Sequence, residues 1–234
     1  MPPQFKIHKS YIFYLSALII AGVTIFAHQL ISQPVLDHGD HGLNLYAFEQ
    51  AANGKIVYKD FWWPFGPLGP YYYGFFMKLF DHNIKSVLLG QILLKLTSGI
   101  LLFYNLSLFF KTRSAFLGTL FFWIFFKDFF YTYNHSLAFP LIFLSMTGLF
   151  QYIKTTGKAQ YNKLIIFISC FLISLVRINI GIALLLGYFF ILCLIDFLLK
   201  KKNSYYLTDM TITTMYTNKD LQSRVNIADN SGIK

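Results

Sequence analysis

Residues 37–80 read DHGDHGLNLYAFEQAANGKIVYKDFWWPFGPLGPYYYGFFMKLF, and the rest of the chain takes its meaning from this stretch. It lies between two strongly apolar runs, yet it holds Asp37, Asp40, Glu49 and Asp60, the histidines His38 and His41, the pair Trp62 and Trp63, and three consecutive tyrosines from Tyr71. A connection this long between apolar segments is either functional or without order. Its aromatics can bury surface, and Pro64, Gly66, Pro67, Gly69 and Pro70 put turn chemistry at fixed points, which is the composition of a folded loop. Residues 43–52 predict a short helix on a membrane surface, with Leu43, Tyr46, Ala47 and Gln50 on one side and Asn53-Gly54 ending it. Residues 71–79 predict a second interfacial helix rich in aromatics.

Outward from this loop, composition sets the class. The 234 residues are 56% hydrophobic, 20% aromatic and only 13% charged, against about a quarter charged in soluble domains. The chain is therefore expected to be an all-α integral membrane protein. Its formal net charge of +10 comes from Lys and Arg clustered between apolar runs, a topology signal rather than a nucleic-acid-binding face. Cys170 and Cys193 both sit within apolar runs, so neither a disulfide framework nor a thiolate metal site is expected.

Hydropathy predicts about six transmembrane helices, near residues 11–31, 84–110, 115–133, 135–153, 164–176 and 182–198. The first follows Lys6 and Lys9 and reads as an uncleaved anchor with its N-terminus inside. The run from Leu164 to Phe197 is too long for one span, and two place Lys163 and the Lys200–Lys202 triplet on one side. The 177–181 segment, Arg177-Ile-Asn-Ile-Gly, is the turn between them. Both ends are then cytosolic, residues 32–83 form a large first extracytoplasmic loop, and residues 203–234 form a polar cytosolic tail.

The loop motifs resemble those of the GT-C membrane glycosyltransferases, in particular relatives of the protein O-mannosyltransferases and lipid A aminoarabinose transferases. The matching residues are Asp40-His41-Gly42, Leu45-Tyr46-Ala47, Asn53-Gly54-Lys55, Tyr58-Lys59-Asp60-Phe61 and Gly66-Pro67-Leu68. A later Val176-Arg177-Ile-Asn-Ile-Gly181 is similar to a turn found in many members. The match covers the first half of the chain, so the resemblance implies the N-terminal half of such an enzyme. It implies a multi-pass cell (inner) membrane protein that moves a sugar from a polyprenyl-phosphate donor to a lipid, glycan or protein hydroxyl at the outer face. It carries Asp40 over as the catalytic aspartate, able also to hold a divalent metal ion, and Asp60 as the second loop aspartate. His41 replaces the family's second acidic residue, and the repeated Asp-His-Gly leaves Asp37 as an alternative to Asp40.

Each residue also has a plainer reading. Asp40 can cap the helix that follows, and Asp60 can close a turn. Trp62 and Trp63 either stack on a sugar or belong to an interfacial aromatic belt. Lys95, with Gln91 and Ser98 at helical spacing, either meets the lipid phosphate or joins a structural polar seam. Arg177 is the better phosphate contact because a guanidinium binds phosphate bidentately, and Asn179 lies beside it. The alternative function is a non-catalytic membrane protein, either a remnant of such a transferase or a subunit that binds polyprenyl phosphate.

Overall fold

A computed structural model describes residues 9–31, 39–125, 133–155 and 160–198, with Asn218, Lys219 and Gln222 in the tail; the side chains of residues 28–31 and of Asp40 lie outside that set. Among these residues the fold is all-helical, apart from one isolated bridge between Val57 and Phe61. The helices are α1 (Lys9–Ile31), α2 (Gly39–Ala52), α3 (Leu68–Leu79), α4 (Ile84–Ser107), α5 (Thr112–Phe125), α6 (Tyr133–Lys154), α7 (Tyr161–Val176) and α8 (Ile178–Leu198). The chain divides into two compact units, residues 1–188 and 189–234. All the candidate functional residues belong to the first. In the second, the described residues are the last part of α8 and those in the tail.

Four segments are long and apolar enough to cross a membrane: Lys9–Ala27, Ile84–Ser107, Tyr133–Lys154 and Ile178–Leu198. Thr112–Phe125 and Tyr161–Val176 are apolar but shorter. This is a multi-pass membrane architecture. Its helix contacts use the small and polar side chains favoured where no water drives association. Gln91 on α4 donates to Ser136 Oγ on α6 at 3.2 Å, and Asn105 Nδ2 donates to the Phe143 carbonyl at 2.9 Å. Thr147 donates in turn to Asn105 Oδ1 at 2.8 Å. Gln91, Lys95 and Ser98 are all buried, so the polar stripe of α4 faces the bundle.

The loop is folded, and local chemistry explains its ends. α2 stops because Gly54 adopts φ 81°. Its N–H donates to the Ala51 carbonyl and that of Lys55 to the Gln50 carbonyl, each at 3.0 Å, the Schellman closure of a helix C-terminus. α4 begins where Asn83 Oδ1 accepts the Ser86 N–H at 3.1 Å, with Asp81 in turn accepting from Asn83 Nδ2 at 2.7 Å.

Three details differ from the sequence reading. The buried face of α2 is Ala47, Phe48 and Ala52, while Leu43 and Tyr46 are exposed. Phe48 is drawn inward by its stack on Tyr73 of α3, with ring centroids 4.7 Å apart. Tyr133, expected to end the third span, opens α6. The turn between α7 and α8 is a single residue, Arg177, with φ −146° and ψ 108°; Asn179 and Gly181 already lie in α8. Gly181 serves packing rather than turning, since a Cβ there would stand 2.1 Å from Ser174 Oγ.

Candidate functional site

The loop meets the bundle where α7 ends. A helix leaves its last carbonyls without intrahelical partners, and the Gly66 N–H donates to one of them, Val176 O, at 3.0 Å. A Cβ on Gly66 would come within 2.0 Å of the Leu175 carbonyl oxygen, so only glycine permits this approach. The Trp63 indole N–H donates back to the Gly66 carbonyl at 3.1 Å, and its ring packs edge-on against Phe65, with centroids 5.5 Å apart.

A pocket of about 320 Å3 opens at this junction, a size typical of small-molecule sites. Tyr58, Trp63 and Phe65 form its loop wall, and Ser174, Arg177 and Asn179 its helix wall. Arg177 is held from two sides. Its guanidinium lies 4.8 Å from the Phe65 ring centroid, and Nη1 donates to His135 Nε2 at 2.9 Å, which makes that ring nitrogen an acceptor. Its Nε is buried and has no hydrogen-bond partner among the described residues. A cation fixed in an aromatic wall, with a donor still to satisfy, is suited to an oxyanion.

Tyr58 adopts φ 67°, a left-handed conformation that bulky side chains rarely take. Its N–H donates to the Phe61 carbonyl at 3.0 Å, and its hydroxyl donates to the Phe65 carbonyl. Partial burial of its hydroxyl end pushes the Tyr58 phenol up from its ordinary value. Asp60 closes the same turn: its Oδ2 accepts the Ile56 N–H at 2.8 Å, and its own N–H donates to the Ile56 carbonyl at 2.9 Å. The Tyr71 hydroxyl accepts the Val57 N–H at 3.2 Å and ties the turn to α3.

Of the residues singled out in the sequence, the pocket brings together Trp63, Arg177 and Asn179. Trp62 is not among the lining residues and is 69% exposed. His41 meets α6, its Nδ1 3.3 Å from the Tyr133 hydroxyl and its ring edge-on to that phenol. Tyr133 belongs to an aromatic group with Phe48 and Tyr73, where the Tyr73 hydroxyl donates to the Tyr133 carbonyl at 3.0 Å. Burial, reinforced by Tyr72 and Tyr133, holds the Tyr73 phenol well above its ordinary range. Lys95 is buried with its ammonium 5.2 Å from the Phe26 ring and is not among the pocket's lining residues. Asp60 is exposed and does not line the pocket either.

Asp40 falls in the first turn of α2 with its side chain outside the described set, as are Asp37 and His38. No three metal-ligating side chains converge among the described residues. The sequence reading missed Tyr58, Phe65 and His135 as parts of the site. The adjacency of Tyr58 to Asp60 was a signal for the first, whereas nothing local links His135 to Arg177. No family model matches the chain, and no match emerged among curated proteins or solved structures.

Proposed function

We propose that the protein is a membrane glycosyltransferase of the kind its loop motifs resemble, taking a sugar from a polyprenyl-phosphate donor. In this reading six spans cross the cell membrane, with the loop outside and both ends cytosolic. The observation that supports it best is the convergence of Trp63, Arg177 and Asn179 on one aromatic pocket. Arg177 faces the donor phosphate, and Trp63 belongs to the wall against which the sugar lies. Asp40 takes the proton of the acceptor hydroxyl as its oxygen attacks the anomeric carbon. The bond to the lipid phosphate breaks, and Arg177 stabilises the charge that develops on that leaving group.

The test is sugar transfer in membranes containing the full chain, with Asp40→Asn and Arg177→Gln alongside at equal expression. Transfer that collapses on Asp40→Asn, by a factor on the order of 100 or more, supports the reading. Transfer that survives that change removes Asp40 from its role.

A second reading has an observation of its own. Among the described residues, a set that leaves out the side chains of Asp37 and Asp40, no carboxylate lines the pocket, an arrangement that also fits a protein holding polyprenyl phosphate without turning it over. Arg177-dependent binding of the lipid with no transfer to any acceptor selects this reading.

A further inference from the structure

We propose that Tyr58 reads the group attached to the phosphate in the Arg177 pocket, and that Asp60 acts as the residue that positions Tyr58 rather than as a catalytic carboxylate. The inference rests on the reading of Arg177 as the phosphate contact.

Tyr58 is held in a left-handed conformation, φ 67°, although the residue is 58% exposed. Core packing therefore does not compel the strain. Strained backbone persists where surrounding contacts over-determine it, and it clusters at ligand sites. Here those contacts are local and polar. The Tyr58 N–H is bonded to Phe61, its hydroxyl reaches Phe65, and the Asp60 carboxylate closes the turn from Ile56. Together they stand the ring beside the pocket in the same wall as Trp63 and Phe65. Opposite, Ser174, Arg177 and Asn179 supply polar groups. Aromatic faces on one side and a few hydrogen-bonding groups on the other suit a hydroxyl-rich ring joined to a phosphate. Asp60 does not line the pocket, and Oδ2 is already engaged with backbone. Its influence on a ligand passes through the turn it holds.

The experiment measures binding of two probes, a polyprenyl phosphate and the same lipid carrying a hexose, to the full chain in nanodiscs by native mass spectrometry. Tyr58→Gly removes the ring and suits the left-handed backbone, so it introduces no new strain. Asp60→Asn keeps an oxygen that can accept the Ile56 N–H, and Asp60→Ala does not. The parent is expected to favour the hexose-bearing lipid. Tyr58→Gly and Asp60→Ala should each cut that preference about five- to tenfold, a larger loss than either shows for the bare lipid. Asp60→Asn should keep the parent's preference. The proposal is overturned if Tyr58→Gly leaves the preference intact, or if Asp60→Asn behaves as Asp60→Ala, which would mean that the charge acts directly. Arg177→Gln separates this from the underlying reading: undiminished bare-lipid binding in that variant removes the phosphate site itself, whatever Tyr58 does.

Discussion

The loop of residues 56–71 and the crossing of α1, α4 and α5 each bury a tryptophan, and they do so by opposite means. Trp63 is enclosed largely by its own neighbourhood. Its N–H donates to Gly66 three residues on, and it contacts Phe65 and, from α2, Phe48. Trp123 is enclosed by helices distant in sequence. Its indole lies between Gly22 of α1 and Gly99 of α4, where a Cβ would approach it to 2.6 and 2.1 Å respectively. Its N–H donates to the Lys95 carbonyl at 3.3 Å. That oxygen lies four residues before Gly99, and the indole reaches it because Gly99 has no side chain in the way. One region is built from local hydrogen bonds and the other from close helix approach. A ligand site belongs to the first kind, because local bonds can hold a strained residue such as Tyr58 without rearranging the bundle.

The sharpest way to break this comparison is to remove each indole. Trp63→Ala and Trp123→Ala should both cost about 4 kcal/mol. They should differ in what opens: limited proteolysis should cut the loop only in the Trp63 variant, while unfolding in detergent should lose cooperativity at the helices in the Trp123 variant. Equal loop cleavage in both would show that the two regions are not separable. Next in size are the glycines. Gly66→Ala places a methyl against the Leu175 carbonyl and Gly99→Ala places one against the Trp123 ring, each at about 2–3 kcal/mol; the first should also abolish the lipid binding proposed for Arg177, and the second should leave it. At the small end, Tyr71→Phe removes only the bond to the Val57 N–H and should cost about 1 kcal/mol. Trp62→Ala, at an exposed ring, should stay within about 0.5 kcal/mol in the same assay.

Much of the scaffold was legible because hydropathy and glycine placement act over short windows. The apolar runs at α1, α4 and α6, the Gly54 stop and the polar stripe of Gln91, Lys95 and Ser98 all follow from spacing. The inward face of α2 was not, because Leu43 and Tyr46 are as apolar as Phe48, and only the partner ring of Tyr73 decides between them. Of the site, Arg177, Asn179 and Trp63 were legible as residues needing an explanation. Their meeting was not, since it depends on Gly66 docking on Val176 across more than a hundred residues. The left-handed Tyr58 was invisible for a related reason: its conformation is imposed by Phe61, Asp60 and Phe65 rather than chosen by tyrosine. Six crossings remain a proposal beside the four long apolar helices, because α5 and α7 are short by length alone.

The cradle around Trp123 also orders the protein in time. α1 leaves the ribosome ahead of α4 and α5, but the core that buries its Leu18 and Phe26 is completed by Ile92, Phe103, Ala115 and Trp123. Until α5 has been synthesised, Gly22 has Leu96 of α4 beside it but lacks the Trp123 indole that completes the cradle. α1 therefore waits through the synthesis of α2, α3 and α4 before the cradle closes on it. A nascent chain stalled before Trp123 should hold α1 loosely, and one stalled a few turns later should hold it fast.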